Sequence, residues 1–163
     1  MGWRALTDKP VAFAFGHGLS YTSFAYDFVR PPAVTVTLYA PWQRGDRPVL
    51  TIHARVRNTG AVAGADVAQL YLAYPQDAGE PPLVLRGFRK TTSLEPGASA
   101  DVVFGLTARD LSTWNATAGS GGGMWRVALG RFVASVGSSS RNITLSHAFE
   151  VKCGGVDSGE GAC

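Results

Sequence analysis

Between Val49 and Arg57 apolar and polar residues alternate without a break. Leu50, Ile52, Ala54 and Val56 fall on one side of an extended chain, and Thr51, His53, Arg55 and Arg57 on the other. A period of two belongs to a β-strand with one buried and one wet face, which places His53 in solvent. Asn58-Thr59-Gly60 supplies a turn, and a second strand is expected from Asp66 to Tyr74. There Ala68, Leu70, Leu72 and Tyr74 share one face, while Val67, Gln69 and Tyr71 share the other. Pro75 ends it, because proline has no N–H to give a ladder. The same reading predicts strands at Val34–Ala40, Val84–Thr92, Ala98–Leu106, Met124–Leu129, Arg131–Gly137 and Asn142–Val151. In the last of these His147 interrupts the row of Ile143, Leu145, Phe149 and Val151.

Between the strands the breakers have identifiable roles. In Leu94-Glu95-Pro96-Gly97, Pro presets φ and Gly tolerates a positive φ, so the segment is a turn. Arg109-Asp110-Leu111-Ser112 predicts a single helical turn, and the run from Ala118 to Gly123 a flexible loop. No helical pattern of twelve residues competes with these strands. Six to eight short strands with frequent turn signals predict an all-β fold, an antiparallel sandwich. The immunoglobulin spacing of Cys, Trp and Cys is absent, so the fibronectin type III-like (immunoglobulin-like) variant fits better. Residues 24–152 are expected to form the sandwich, residues 1–23 to be the trailing end of a preceding unit, and residues 153–163 a disordered tail.

Composition narrows the function. The 163 residues are 45% hydrophobic and 17% charged, enough apolar material for a core. Fifteen basic residues against twelve acidic ones leave a charge of +3, but the basic residues are scattered and form no stripe for nucleic acid. No stretch approaches the roughly 18 apolar residues of a membrane span. Charges and Pro10 interrupt any signal-peptide core near the N-terminus, and Leu6 breaks the myristoylation pattern that Met1-Gly2 begins. Localisation is therefore open. Cys153 and Cys163 both lie in the last eleven residues, where they close a small loop in an oxidising compartment or stay as two free thiols.

The candidate sites are few. In Phe13-Ala14-Phe15-Gly16-His17-Gly18, the two glycines allow a close backbone approach or a positive φ. The segment is read either as a tight apolar turn docked on the sandwich or as a surface for a neighbouring domain. His17, His53 and His147 are too dispersed for a metal site, and no cofactor is expected. Arg44-Gly45-Asp46 is taken as a hydrophilic turn rather than an adhesive motif, since short motifs recur by chance. Asn115-Ala116-Thr117 and Asn142-Ile143-Thr144 are N-glycosylation sequons, usable only on a secretory route. Tyr39, Trp42, Trp114 and Trp125 are candidates for a sugar-stacking platform, although core or interface packing suits Trp114 and Trp125 better.

The segment Phe15-Gly16-His17-Gly18-Leu19-Ser20-Tyr21-Thr22 resembles the junction of family 3 glycoside hydrolases, the β-glucosidase and β-xylosidase group. Seven further fragments agree in order: Gly2-Trp3-Arg4, Val56–Gly60, Gly64–Tyr71, Leu85–Lys90, Leu94–Gly97, Arg109–Ser112 and Val136–Arg141. The resemblance implies a non-catalytic C-terminal fibronectin type III-like module that supports catalytic domains in cis. It implies a junction loop formed by Phe13, Phe15, Gly16, His17, Gly18 and Tyr21 against the preceding α/β domain. It also places the Asp nucleophile and the Glu acid/base upstream of this chain, where retaining hydrolysis needs the two carboxyls about 5–5.5 Å apart. The chain alone is therefore expected to be inactive, and the parent enzyme to be secreted, as many relatives are. A stand-alone sandwich binding carbohydrate or a surface is the alternative, with polysaccharide contact through an exposed aromatic row.

Overall fold

The computed structural model describes residues 9–39, 47–117 and 123–154. Among the described residues ten strands form the fold: β1 Phe24–Phe28, β2 Thr35–Tyr39, β3 Leu50–Asn58, β4 Val67–Ala73, β5 Val84–Lys90, β6 Ser99–Leu106, β7 Ser112–Asn115, β8 Met124–Val127, β9 Gly130–Ser139 and β10 Asn142–Gly154. One sheet has the order β1-β3-β6, the other β2-β10-β9-β4-β5, and β7 and β8 make a separate two-stranded ribbon. All eight expected strands are present, with ends displaced by a few residues.

The alternation in β3 has the anticipated consequence. Leu50, Ile52, Ala54 and Val56 are buried and face Leu70, Leu72, Phe132, Val136 and Phe149 of the opposite sheet in a single core. Phe132 is its pivot, its ring 5.0 Å from that of Tyr74 and stacked 5.5 Å from that of Phe149. Burying such rings drives folding at roughly 25 cal/mol per Å² of apolar surface. His53 is half-covered instead of fully solvated, because the Arg30 guanidinium lies on its imidazole Nε2.

Four features depart from the sequence reading. β1 and β7 lie where no strand is expected; β1 shows only one aromatic alternation, Phe24-x-Tyr26-x-Phe28, and β7 is four residues long. The sandwich is not wholly antiparallel, since β2 runs parallel to β10 with Val36 opposite Val151. Pro31 and Pro32 stop β1 from continuing, and the chain crosses to the other sheet, where it joins the last strand in the same direction. β4 is covered on both faces, with Gln69 and Tyr71 as buried as Leu70 and Leu72. Finally, β10 runs on to Gly154, so Cys153 and Gly154 pair with Leu38 and Tyr39 and do not open a tail. The expected helical turn at Arg109–Ser112 is a 3-10 turn over Arg109–Leu111, and Ser112 already belongs to β7.

Candidate functional site

The cover over β4 is the Phe13–Gly18 segment. Gln69 Nε2 donates to the carbonyl oxygens of Gly16 (2.9 Å) and Ser138 (2.6 Å), and Tyr71 Oη donates to Gln69 Oε1 (2.5 Å). Ser140 N–H donates to the Phe15 carbonyl at 2.9 Å, and Arg141 Nη2 to the Lys9 carbonyl at 2.5 Å. Three segments far apart in the chain thus meet at one contact: the Phe-Gly-His-Gly loop, the Gln-Leu-Tyr of β4, and the Ser-Ser-Ser-Arg turn between β9 and β10. Gly16 has φ +77°, and a Cβ there would stand 2.0 Å from Gln69 Oε1, so both backbone and space require glycine. Gly18 meets neither expectation, since nothing lies within 4 Å of its Cβ position.

A second clamp fixes the end of the segment. Asn58 is fully buried, and its Nδ2 donates to the carbonyls of Val62 and Leu94, both at 2.8 Å. Its Oδ1 accepts from Thr22 Oγ1 at 2.6 Å and from Gly60 N–H at 3.0 Å. Asn58 reads as an ordinary turn residue, yet it holds the entry strand, the turn and the Leu94 loop together. Only the long-range partners Thr22 and Leu94 reveal that role.

With the backbone pinned, the side chains of the segment face outward. Tyr21 is 99% exposed, Leu19 90% and Phe13 70%, and Phe13 stacks on the His17 ring at 5.3 Å. The two readings of the segment are therefore compatible, since its backbone docks on the sandwich while its apolar side chains remain uncovered. Several large exposed apolar side chains in one short segment mark an interaction surface more than a single one does.

The other candidates stay apart. His17, His53 and His147 lie on different segments; His147 Nε2 contacts the Ala33 carbonyl at 3.1 Å, and its ring meets Phe28 edge-on. Among the described residues no three His, Cys, Asp or Glu side chains gather as metal ligands, and no helix is long and apolar enough to cross a membrane. Trp114 and Trp125 face each other across β7 and β8 at 5.5 Å, with the Arg109 guanidinium 3.4 Å from the Trp125 ring centre. Neither enters the core, and Trp114 is half exposed, because the ribbon stands outside both sheets. Tyr39 is exposed on β2, so it shares no sheet with Trp114. Trp42 and Arg44-Gly45-Asp46 lie outside the described residues, as does the Gly-rich loop up to Gly123. Cys153 stands opposite Leu38 in the β10–β2 ladder, and Cys163 lies outside the described residues.

Residues 66–140 match the fibronectin type III-like domain family. The chain is 41% identical over 149 residues to β-glucosidase cel3A of Pyricularia oryzae, a match covering 85% of this chain and 20% of that protein. It is 43% identical over 147 residues to the probable β-glucosidase L of Emericella nidulans, covering 85% of this chain and 19% of the relative. Among solved structures, the β-D-glucoside glucohydrolase of Trichoderma reesei superposes with a TM-score of 0.74 at 36% identity, over 91% of this chain and 22% of that one. The β-glucosidase 3B of Thermotoga neapolitana, solved with α-D-glucose, gives 0.75 at 34% identity, over 93% and 19%. The chain spans about a fifth of the length of the relatives it matches. Its sandwich carries a fibronectin type III-like domain, and the chain is similar over most of its length to one part of these β-glucosidases.

Proposed function

We propose that the chain supports the catalytic domains of a larger β-glucoside-hydrolysing enzyme in cis, with residues 1–23 as the junction to a preceding α/β domain. The observation that carries this reading is the exposure of Phe13, Leu19 and Tyr21 on a segment whose Phe15 and Gly16 carbonyls are held by Ser140 and Gln69. A docked segment presenting three uncovered apolar side chains is suited to burial against a second domain, where each contributes on the order of 1.5–3 kcal/mol if fully covered. The hydrolytic carboxylates belong to the supported domains, and this chain supplies position and stability.

The test replaces the matching segment of the Trichoderma reesei enzyme by this chain. The hybrid is expected to hydrolyse an aryl β-glucoside, and the isolated chain to be inert. Changing Phe13, Leu19 and Tyr21 together to Ser is expected to lower the melting temperature of the hybrid. An unchanged melting temperature would remove the supporting role. Retention of the isolated chain on insoluble polysaccharide, lost on changing Tyr39 or Trp114 to Ala, would favour a stand-alone carbohydrate-binding sandwich instead.

A further inference from the structure

The two sequons hold different conformations, and the difference is chemical. Asn115 closes β7, and the chain turns directly after it. The backbone N–H of Thr117 donates to Asn115 Oδ1 at 3.0 Å, and Thr117 Oγ1 donates to the same oxygen at 2.8 Å. This Asx turn draws electron density toward Oδ1 and leaves Nδ2 without a partner among the described residues. Beside it opens a cleft of about 480 Å³, walled by Asp77, Thr113, Trp114 and Arg126. Trp114, half exposed, stands at this cleft among hydrogen-bonding groups.

Asn142 offers none of this. Its Nδ2 donates to Ser138 Oγ at 2.8 Å, and its N–H donates to Ser139 Oγ at 3.1 Å. Residues 142–144 lie in β10 against β9, and Thr144 Oγ1 donates to the Val136 carbonyl at 3.2 Å, away from Asn142. The hydroxyl that should assist the acceptor amide is occupied by the sheet.

We propose that Asn115 is the N-glycan acceptor of this protein, that Asn142 is not, and that the first sugar rests in the cleft beside Trp114. In the transfer, Asn115 Nδ2 forms a bond to the anomeric carbon of an oligosaccharide carried on a polyprenyl pyrophosphate. The bond from that carbon to the phosphate oxygen breaks, the lipid pyrophosphate departs, and one amide proton passes to a base of the transferase. Nothing is oxidised or reduced. The inference does not depend on which enzyme the module supports.

The full 163-residue chain, secreted from a yeast host behind a cleavable leader, provides the test. Enzymatic release of N-glycans in heavy-oxygen water converts each formerly glycosylated Asn into a labelled Asp, which peptide mass spectrometry then locates. Label is expected at Asn115 and not at Asn142. Asn115→Gln and Thr117→Ala are each expected to remove all carbohydrate mass; the second keeps the Asn115 side chain, should the first fail to be secreted. Asn142→Gln is expected to leave the mass unchanged. Label at Asn142, or an unmodified Asn115 in the secreted protein, overturns the proposal.

Discussion

The Gln69 side chain reaches 53 residues back along the chain to hold the Gly16 carbonyl at 2.9 Å. Its other amide atom, Oε1, accepts from Tyr71 Oη, so both ends of the amide are engaged under the junction loop. The outer face of β4 is dry for this reason. A glutamine at an outward-facing strand position ordinarily meets water, and here it meets another segment of the same chain.

Gly16→Ala tests that contact directly. The substitution forces a Cβ into the Gln69 amide at a positive φ, so it is expected to cost about 1–3 kcal/mol. Limited proteolysis should then cut the junction segment before the sandwich, with β-sheet circular dichroism retained. Gly18→Ala, with open space around it, serves as the comparison and should behave like the parent chain.

Asn58→Ala should be more damaging. It removes four hydrogen bonds at once, at a fully buried side chain that joins Thr22, Gly60, Val62 and Leu94. The expected loss is about 2–4 kcal/mol, read from denaturant unfolding. Asn58→Asp keeps the two acceptor contacts but loses both donor contacts and buries a charge, so it should not rescue stability.

In the core, Phe132→Ala opens a void between the rings of Tyr74 and Phe149. A loss of about 3–5 kcal/mol is expected, and Phe132→Leu should cost less because more of the volume is kept. Replacing Phe13, Leu19 and Tyr21 with Ser in the isolated chain should change stability by no more than about 0.5 kcal/mol, since these side chains are exposed.

Alkaline pH should also weaken the fold. Burial pushes the Tyr71 phenol up to about 12. Burial, reinforced by the Asp66 carboxylate, raises that of Tyr26, and burial raises that of Tyr74 against the opposing pull of Arg86. A phenol whose pKa is higher folded than unfolded binds its proton more tightly in the native state. Its contribution is therefore complete below the unfolded value near 10 and is lost as pH rises toward 12. Denaturant midpoints at about pH 8, 10 and 11.5 should fall in that order, and Tyr71→Phe should flatten the decline. At neutral pH the same variant is expected to lose about 1 kcal/mol with its bond to Gln69.

Sheet periodicity in β3, the Leu94–Gly97 turn and the all-β class could be read directly, because alternation and turn chemistry are local. The two missed strands show the limit of that reading. β1 has only five residues, and β7 exists because it pairs with β8, placing Trp114 opposite Trp125. The junction loop was visible as a pattern of Phe and Gly, but its partner on the sandwich was not. Gln69 and Tyr71 sit on a face that alternation alone assigns to water, and no local signal says that another segment covers it.

What the sequence by itself determined is therefore eight of the ten strands among the described residues, the buried face of β3, and the likeness to a module of family 3 glycoside hydrolases. Those depend on the period of two and on residues a few positions apart. Only the tertiary structure decided that β2 joins β10 in parallel, that Asn58 and Gln69 are clamps, and that Phe13, Leu19 and Tyr21 face outward. Each of these is a contact between distant segments, and its energy comes from burial and hydrogen bonding across the fold, which no short stretch of chain encodes.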